Sequence, residues 1–306
     1  MRIIRFIEAH FWAFLIFAMF VGLVLPLPAE QMIPLLKPEL MLTLFFIFLK
    51  IDILQVLERI RDLRLMIYLL SVFLILSPLA FFYVFVGWDL QWAIALALLM
   101  AMPAGTSSAV LTDIVKGNTA LSMSLTILTS LLVPFTLPLV FFLIGQNGLE
   151  LNSWLLFWES ATMVLIPMVL ATVVKPLFPR LIKRSLPTFT AINILILFLI
   201  VVTSFGSQRA ALLANPLSLV WDLLLMYGVF ILLHVLGYLW SYGKNSKDRI
   251  AITVSHAYMN NGLAIVLAAK FFSPTVLILM VLSEIPWSTM LVLLRWVIRN
   301  TRFFYK

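Results

Sequence analysis

The sequence predicts an all-α integral membrane protein in which ten transmembrane helices form two inverted five-helix repeats. Of its 306 residues, 63% are hydrophobic and 11% are charged, whereas a soluble domain is about 45–50% apolar and about 25% charged. So few charges cannot cover a surface exposed to water, which excludes a water-soluble enzyme. Ten helices of roughly 20 residues each would use about two thirds of the chain, which excludes large extramembrane domains.

Long apolar runs that end at charged residues, Pro or Gly define the helices. We expect the first run to be retained as a membrane helix rather than cleaved, because it ends at Pro26 and Pro28 without a small-residue cleavage site. The predicted helices are 8–27, 40–56, 64–87, 91–115, 118–144, 153–174, 187–207, 216–241, 248–272 and 274–298.

The basic residues predict the orientation in the membrane. Ten helices place both termini on one side, and that side receives all but three of the 21 Lys and Arg residues. Because positive charge marks the cytoplasmic side, we expect a multi-pass inner-membrane protein with both termini in the cytoplasm. The net charge of +8 is then an orientation signal, so the expected partner is the lipid bilayer and not nucleic acid. The three exceptions are Lys37, Arg209 and Lys270.

The helix count predicts the domain organisation. Residues 1–148 would hold helices 1–5 and residues 149–306 would hold helices 6–10. An odd number of helices per repeat inserts the second repeat upside down relative to the first, as in many secondary transporters.

The sequence contains no catalytic constellation. It lacks cysteine, which removes disulfides, thiolate metal sites and cysteine nucleophiles. It shows neither a metal triad nor a phosphate-binding glycine loop. Ser108 and His256 would suggest a Ser-His pair, but no orienting carboxylate adjoins them. We therefore expect neither enzymatic activity nor a cofactor.

Two polar stretches interrupt the fourth and the ninth predicted helices, which are the fourth of each repeat. The first is 102–109, with Pro103 and Gly105, and the second is 255–262, with Gly262. Pro lacks a backbone donor and Gly relaxes the backbone, so each helix should break near the bilayer midplane. Such backbone is tolerated where it lines a cavity or is buried in protein. A simple kink is the alternative; the matched positions favour a transport site.

The motifs around these stretches resemble the bile acid:sodium symporter family, which is related to the arsenite permeases of the same superfamily. The resemblance rests on the run Pro-Ala-Gly-Thr-Ser-Ser-Ala from Pro103, the segment 116–126, two later prolines, and Met-Asn-Asn-Gly-Leu-Ala from Met259. It implies a core domain of helices 3–5 and 8–10 and a panel domain of helices 1, 2, 6 and 7. Discontinuous helices 4 and 9 would cross in the core, and substrate would move through the intervening cleft by alternating access.

The resemblance transfers the family's sodium ligands only in part. It implies hydroxyl ligands for a sodium ion at Ser108, Ser122 and Thr126. The family's carboxylate position is occupied by Ser255, and its asparagine position is Ala109. The two glutamine positions of the second sodium site read Met259 and Phe73. Because sodium in an apolar site usually needs a neutralising carboxylate, the conventional sites are partly lost.

Two other ionisable residues are candidates for cation or proton coupling. His256 adjoins the lost carboxylate position and could carry a proton; the alternative is a hydrogen bond that supports the helix crossing. Glu284 lies within the tenth helix, where an intramembrane carboxylate indicates function; the alternative is that it satisfies a polar neighbour.

The expected substrate is a small or amphipathic organic anion, because half-helix N-termini beside Gly105 and Gly262 carry partial positive charge. The alternatives are a proton-coupled or uncoupled carrier, an efflux permease, and, with less support, a channel. The missing cysteine argues against arsenite as the cargo, and the sequence does not indicate an oligomeric state. The candidate substrate-binding residues are Thr106, Ser107, Ser108, Asn260, Asn261, Gly262 and, on the panel side, Asn193.

Overall fold

The computed structural model describes residues 11–51, 62–145, 151–214 and 216–300. Within these ranges the chain is helical apart from its connections and one isolated β-bridge. Both chain ends, the first three residues of the first predicted helix and residues 52–56 of the second lie outside the described residues.

The helices are numbered here in chain order. They are α1 (Phe11–Val24), α2 (Ala29–Met32), a 3₁₀ turn (Ile33–Leu35), α3 (Leu36–Lys50), α4 (Leu63–Ser71), a π-helical segment (Val72–Leu76), α5 (Ser77–Phe85), α6 (Leu90–Met100), α7 (Ser108–Ile114), α8 (Thr119–Gly145), α9 (Ser153–Leu177), α10 (Pro179–Ser207), α11 (Arg209–Ala214), α12 (Pro216–Trp240), α13 (Ser246–Ala257), α14 (Asn261–Phe271) and α15 (Pro274–Asn300).

Seven helical stretches in the described residues are long and apolar enough to cross a membrane. They confirm the prediction of an all-helical membrane protein. Shorter apolar helices lie at Ala13–Val24, Leu90–Met100 and Asn261–Phe271. The seven stretches are Ala29–Lys50, Leu63–Phe85, Thr119–Gly145, Ser153–Leu177, Pro179–Ser207, Leu217–Trp240 and Pro274–Asn300.

Two helical stretches begin earlier than the sequence predicts, and proline explains both differences. The second predicted helix starts at Ala29 rather than at residue 40, because Pro34 lies at the start of the 3₁₀ turn and Pro38 lies in the first turn of α3, where a missing N–H breaks no helical hydrogen bond. The seventh starts at Pro179 rather than at residue 187. Pro179 is favourable at a first helical position, and helix-forming residues carry the helix through Pro187.

The helices pack into two groups that meet along α8 and α9. In one group α10 packs against α1 and α3, and α9 packs against α3. In the other, α13 packs against α12, α8 and α7, while α15 packs against α14, α12 and α6. Residues 92–102 of α6 and the turn after it are buried throughout. The second group therefore encloses both interrupted helices.

Candidate functional site

Two interruptions meet inside the second group of helices. Residues 101–107 separate α6 from α7, and residues 258–260 separate α13 from α14. An antiparallel bridge between Ala104 and Met259 joins them. We call these two segments the helix crossing.

Each segment of the crossing satisfies the backbone of the other. Gly105 donates its N–H to the Tyr258 carbonyl at 2.7 Å, and Asn260 donates its N–H to the Pro103 carbonyl at 2.9 Å. Backbone groups that leave a helix inside a membrane need such partners. The two interruptions therefore stabilise each other, which a simple kink in either helix would not require.

Gly105 is the point of closest approach in the crossing. A Cβ atom built on Gly105 would lie 2.6 Å from the Tyr258 carbonyl oxygen and 3.0 Å from the Met259 carbonyl oxygen. Real Cβ atoms do not come this close to backbone atoms. The two segments can lie together only because this residue has no side chain.

Two of the predicted hydroxyl groups, one on α7 and one on α8, are hydrogen bonded to the backbone of the crossing. Ser108 donates its Oγ–H to the Tyr258 carbonyl at 2.8 Å, and Thr126 donates to the Gly105 carbonyl at 3.3 Å. Both side chains are buried. Their hydrogens are directed to backbone carbonyls, so these hydroxyls act first as supports of the interrupted backbone.

Two further supports were missed from the sequence. Thr129 Oγ1 accepts the N–H of Ala104 at 3.0 Å, and Trp287 Nε1 donates to the Met259 carbonyl at 3.0 Å. Thr129 lies one helical turn after Thr126, so the hydroxyl stripe along α8 could have indicated it. No local pattern marks Trp287, which lies on α15.

The predicted sodium ligands are close together but do not form a charged site. Ser122 Oγ and Ser255 Oγ, the latter at the carboxylate position, are hydrogen bonded to each other at 3.0 Å. The single hydroxyl hydrogen of Thr126 is shared between the Ser122 carbonyl at 3.0 Å and the Gly105 carbonyl at 3.3 Å. Among the described residues, none of these hydroxyls is hydrogen bonded to a carboxylate. The oxygen set therefore lacks the charge compensation that an alkali cation needs in an apolar interior.

His256 is held at both ring nitrogens. Nδ1 lies 3.1 Å from the Leu233 carbonyl, and Nε2 lies 3.2 Å from Ser77 Oγ. A carbonyl only accepts, so we assign the hydrogen to Nδ1 and let Nε2 accept from the Ser77 hydroxyl. The ring also lies against Phe73, with centroids 4.8 Å apart. These contacts fit a side chain that supports the packing of α13.

A cavity of about 10 Å³ lies beside the crossing. It has room for about one water molecule. Phe73 and Met259, which occupy the two positions where the family has glutamine, form two of its walls. These walls are therefore apolar. The lining residues are Phe73, Met100, Met102, Ala104, Ser255, His256 and Met259.

The two asparagines of the crossing have different roles. Asn260 caps α14, because its Oδ1 accepts the N–H of Leu263 at 3.1 Å. Asn261 donates Nδ2 to Ser283 Oγ at 2.9 Å, while its buried Oδ1 has no hydrogen-bond partner in the described structure. Gly262 approaches the other group of helices, since a Cβ there would lie 3.4 Å from Leu40 Cδ1 of α3.

The remaining predicted residues lie around this centre. Thr106 and Ser107 are half-buried in the turn that precedes α7. Asn193 lies on α10, where its buried Oδ1 has no hydrogen-bond partner among the described residues. Glu284 is buried on α15, next to Ser283. Within the described part of the chain, neither Asn193 nor Glu284 is hydrogen bonded to the crossing.

The fold and the site define a polytopic helical membrane protein built around two interrupted helices that cross. The chain belongs to the sodium bile acid symporter family, whose family model matches residues 37–215. The resemblance inferred from the sequence motifs is thereby confirmed. The matched region includes the first interruption and ends before α12.

Curated relatives support this assignment. The chain is 28% identical over 207 residues to an uncharacterized sodium-dependent transporter, YocS, of Bacillus subtilis, which covers 65% of this chain and 62% of the relative. It is 23% identical over 188 residues to a probable chloroplastic sodium/metabolite cotransporter, BASS1, of Arabidopsis thaliana, which covers 60% of this chain and 45% of the relative. The chain thus spans less than two thirds of the relatives' length. Their names describe transporters, not enzymes.

Proposed function

We propose that the protein is a secondary active transporter that moves a small or amphipathic organic anion across the membrane by alternating access. The observation that carries this proposal is the helix crossing, in which each interrupted backbone is satisfied by the other at the Gly105–Tyr258 and Asn260–Pro103 bonds. Discontinuous helices of this kind form substrate sites in secondary transporters. The bile acid and metabolite cargoes in the names of the family and of BASS1 support the choice of an organic anion.

Substrate would bind beside the crossing, at the boundary of the two groups of helices. The N-terminus of α14 carries a partial positive charge, which favours an anion. Asn261 adds a buried amide oxygen without a partner. The proposed contacts are Thr106, Ser107, Ser108, Asn260, Asn261 and Gly262, with Asn193 approaching from α10.

The proposed mechanism moves a core domain against a panel domain. In this scheme the core comprises α4–α8 and α12–α15, and the panel comprises α1–α3, α9 and α10. The mutual packing of α1, α3, α9 and α10 supports such a division. The finer topology, with ten membrane crossings, inverted repeats at 1–148 and 149–306, and both termini in the cytoplasm of an inner-membrane protein, belongs to the same proposal.

The choice of coupling ion divides the proposal in two. Sodium coupling would use Ser108, Ser122 and Thr126, and the relatives' names favour it. A proton-coupled or uncoupled carrier, or an efflux permease, is favoured by the hydrogen bond between Ser122 and Ser255. Ser255 lies where the family has the carboxylate that would neutralise sodium, and its hydroxyl is bonded to Ser122 instead. Conventional sodium coupling therefore fits these residues poorly. A channel has less support, since a carrier explains the cross-bonded interruptions.

Flux measurements on the purified full chain in proteoliposomes test the function. A radiolabelled bile acid and a series of smaller organic anions would be offered with sodium and proton gradients imposed separately. A carrier shows saturation and counterflow, whereas linear flux without counterflow contradicts the proposal. The Ser255→Glu variant should gain sodium stimulation, because it restores a carboxylate beside Ser122. The neutral Ser255→Gln variant is its matched control.

A further inference from the structure

Glu284 is the only acidic residue among those described whose side chain is buried. It is 2% exposed and lies in the middle of α15, one residue after Ser283. No hydrogen bond or ion pair reaches its carboxyl group within the described residues. An ionised carboxylate without a partner is strongly disfavoured in an apolar interior. Glu284 therefore requires a proton or a bound cation.

The turn that carries Glu284 is fixed to the second interruption. Ser283 Oγ accepts from Asn261 Nδ2 at 2.9 Å, and Trp287 Nε1 donates to the Met259 carbonyl at 3.0 Å. The Oδ1 of Asn261, a residue that is 3% exposed, has no hydrogen-bond partner in the part of the chain that the structure describes. A movement of the crossing must therefore move the surroundings of Glu284, which links its occupancy to the conformational cycle.

Charged and titratable groups around α15 do not neutralise Glu284. The helices that pack against α15 are α14, α12, α6, α10 and α1. Neither α1 nor α6 carries a charged or titratable residue. In the part of the chain that the structure describes, none of these groups forms an ion pair or hydrogen bond with Glu284. The charged and titratable residues on the packed helices and on α15, other than Glu284, are Lys270, Asp222, Tyr227, His234, Tyr238, Arg180, Lys183, Arg184, Arg295 and Arg299.

A proton fits this position better than an alkali cation does. An alkali cation in an apolar site requires several oxygen ligands. The adjoining Ser283 hydroxyl donates to the Met280 carbonyl and accepts from Asn261. Among the described residues, the Oδ1 of Asn261 is a buried oxygen without a hydrogen-bond partner, but no set of oxygen ligands surrounds Glu284. A proton requires no such set, because it neutralises the carboxyl group alone.

We propose that Glu284 binds the coupling proton of this carrier. The proton resides on a Glu284 carboxyl oxygen while the side chain is buried, and it leaves for water when the crossing moves and exposes the group. One proton then accompanies the anion in each cycle. The coupling role rests on the proposed function, whereas the protonation of Glu284 does not. His256 is the weaker carrier, because Leu233 and Ser77 already occupy both of its ring nitrogens.

Infrared difference spectroscopy of the full chain in lipid bilayers tests the protonation directly. We expect the carbonyl stretch of a protonated carboxylic acid in the wild type at neutral pH, and its loss in Glu284→Gln. The band should persist in His256→Gln, which removes the weaker candidate for the proton. Glu39→Gln is a second comparison, because one buried oxygen of Glu39 lacks a hydrogen-bond partner within the described residues.

Three results would overturn the inference. They are a band that persists in Glu284→Gln, a band that disappears in Glu39→Gln instead, and a band that is lost from the wild type when sodium is added at constant pH. If Glu284→Gln does not fold, as judged by size-exclusion chromatography, Glu284→Asp decides, because a shorter carboxyl group should shift the band.

Flux separates this inference from the proposed function. With a radiolabelled bile acid as the probe, Glu284→Gln should retain counterflow and lose all stimulation by an imposed proton gradient. Retained stimulation would contradict the coupling role. Absence of counterflow in the wild type for every anion tested would remove the proposed function, and the infrared result would still decide whether Glu284 is protonated.

Discussion

Lys270 Nζ lies 2.5 Å from Glu159 Oε1 and joins α14 to α9. The other carboxylate oxygen, Oε2, lies 2.7 Å from Lys37 Nζ of α3. The Glu159 side chain is 13% exposed, whereas the lysine side chains are 44% and 34% exposed. One carboxylate therefore ties the helix that follows the second interruption to the opposite group of helices. The two lysines are among the three basic residues that the topology prediction assigns to the outer side.

Removing the Glu159 charge should make it easier to separate the two groups of helices. Glu159→Gln loses both ion pairs and leaves two lysines near each other, so α14 and α3 should part more often. Leu40, which is 2% exposed and lies close to Gly262, would then meet water. The chain has no cysteine, so a water-soluble maleimide would label only an introduced Leu40→Cys. We expect faster labelling when Glu159→Gln is added.

Lys37→Gln provides the matched control for this experiment. It removes one of the two ion pairs but leaves Lys270 bonded to Glu159 across the two groups, so labelling should accelerate less. Exposed and half-exposed ion pairs are worth about 0.2–1 kcal/mol each, so the global free energy of unfolding should change little. An unchanged labelling rate in Glu159→Gln would show that the ion pair does not restrain the two groups.

The Thr129 hydroxyl should be required for the first interruption. Thr129→Val keeps the shape of the side chain but leaves the N–H of Ala104 without its acceptor at 3.0 Å. An unpaired buried donor costs about 1–3 kcal/mol, so the free energy of unfolding in detergent should fall by that amount. Thr129→Ser retains the hydroxyl and should recover most of the loss. Equal losses in both variants would indicate packing, and not the hydrogen bond, as the cause.

Asp62 should make the stability depend on pH in the acidic range. Its Oδ1 accepts the Leu65 N–H at 2.9 Å, and its Oδ2 lies 3.3 Å from Lys244 Nζ. The backbone hydrogen bond first, and then Lys244, lower the pKa of this exposed carboxyl group below its ordinary value of 3.8. A lowered pKa means that the folded state binds the proton less readily than the unfolded state. The stabilisation is present above pH 3.8 and is lost as the pH falls through the lower folded pKa.

Asp62→Asn tests this pH dependence without removing the helix cap. Asn is as good an N-cap residue as Asp, so only the charge is lost. The difference in free energy of unfolding between the wild type and Asp62→Asn should shrink as the pH falls below 3.8. A difference that stays constant over the acidic range would mean that Asp62 titrates alike in the folded and unfolded states.

The sequence predicts the helical membrane fold because apolar length is a property of each segment by itself. It also locates both interruptions, since Pro103, Gly105 and Gly262 change the backbone locally. The same local rules place the start of the seventh helix too late. They predict that this helix begins at Pro187, whereas α10 begins at Pro179 and continues through Pro187.

The partners within the site depend on tertiary structure and have no sequence signal. The hydrogen bond of Gly105 with Tyr258 joins segments that are far apart in the sequence. The hydrogen bond of Trp287 with Met259 depends on the angle between the surrounding helices, which the whole bundle sets. Ser255 could be recognised as a departure from the family pattern. Its hydrogen bond with Ser122 follows only from the packing of α8 against α13.

Gly105→Ala should disrupt the helix crossing and reduce transport more than any other small change. The added Cβ would lie 2.6 Å from the Tyr258 carbonyl oxygen, so the two interruptions must separate and lose the Gly105–Tyr258 hydrogen bond. Overpacking of this kind costs about 1–3 kcal/mol. Gly228→Ala on α12 is the matched control, because its Cβ meets nothing within 4 Å and alanine favours a helix by about 0.5–1 kcal/mol. We expect lower stability and lost counterflow in Gly105→Ala, with equal or higher stability and normal counterflow in Gly228→Ala. Normal counterflow in both variants would show that transport does not need a close crossing.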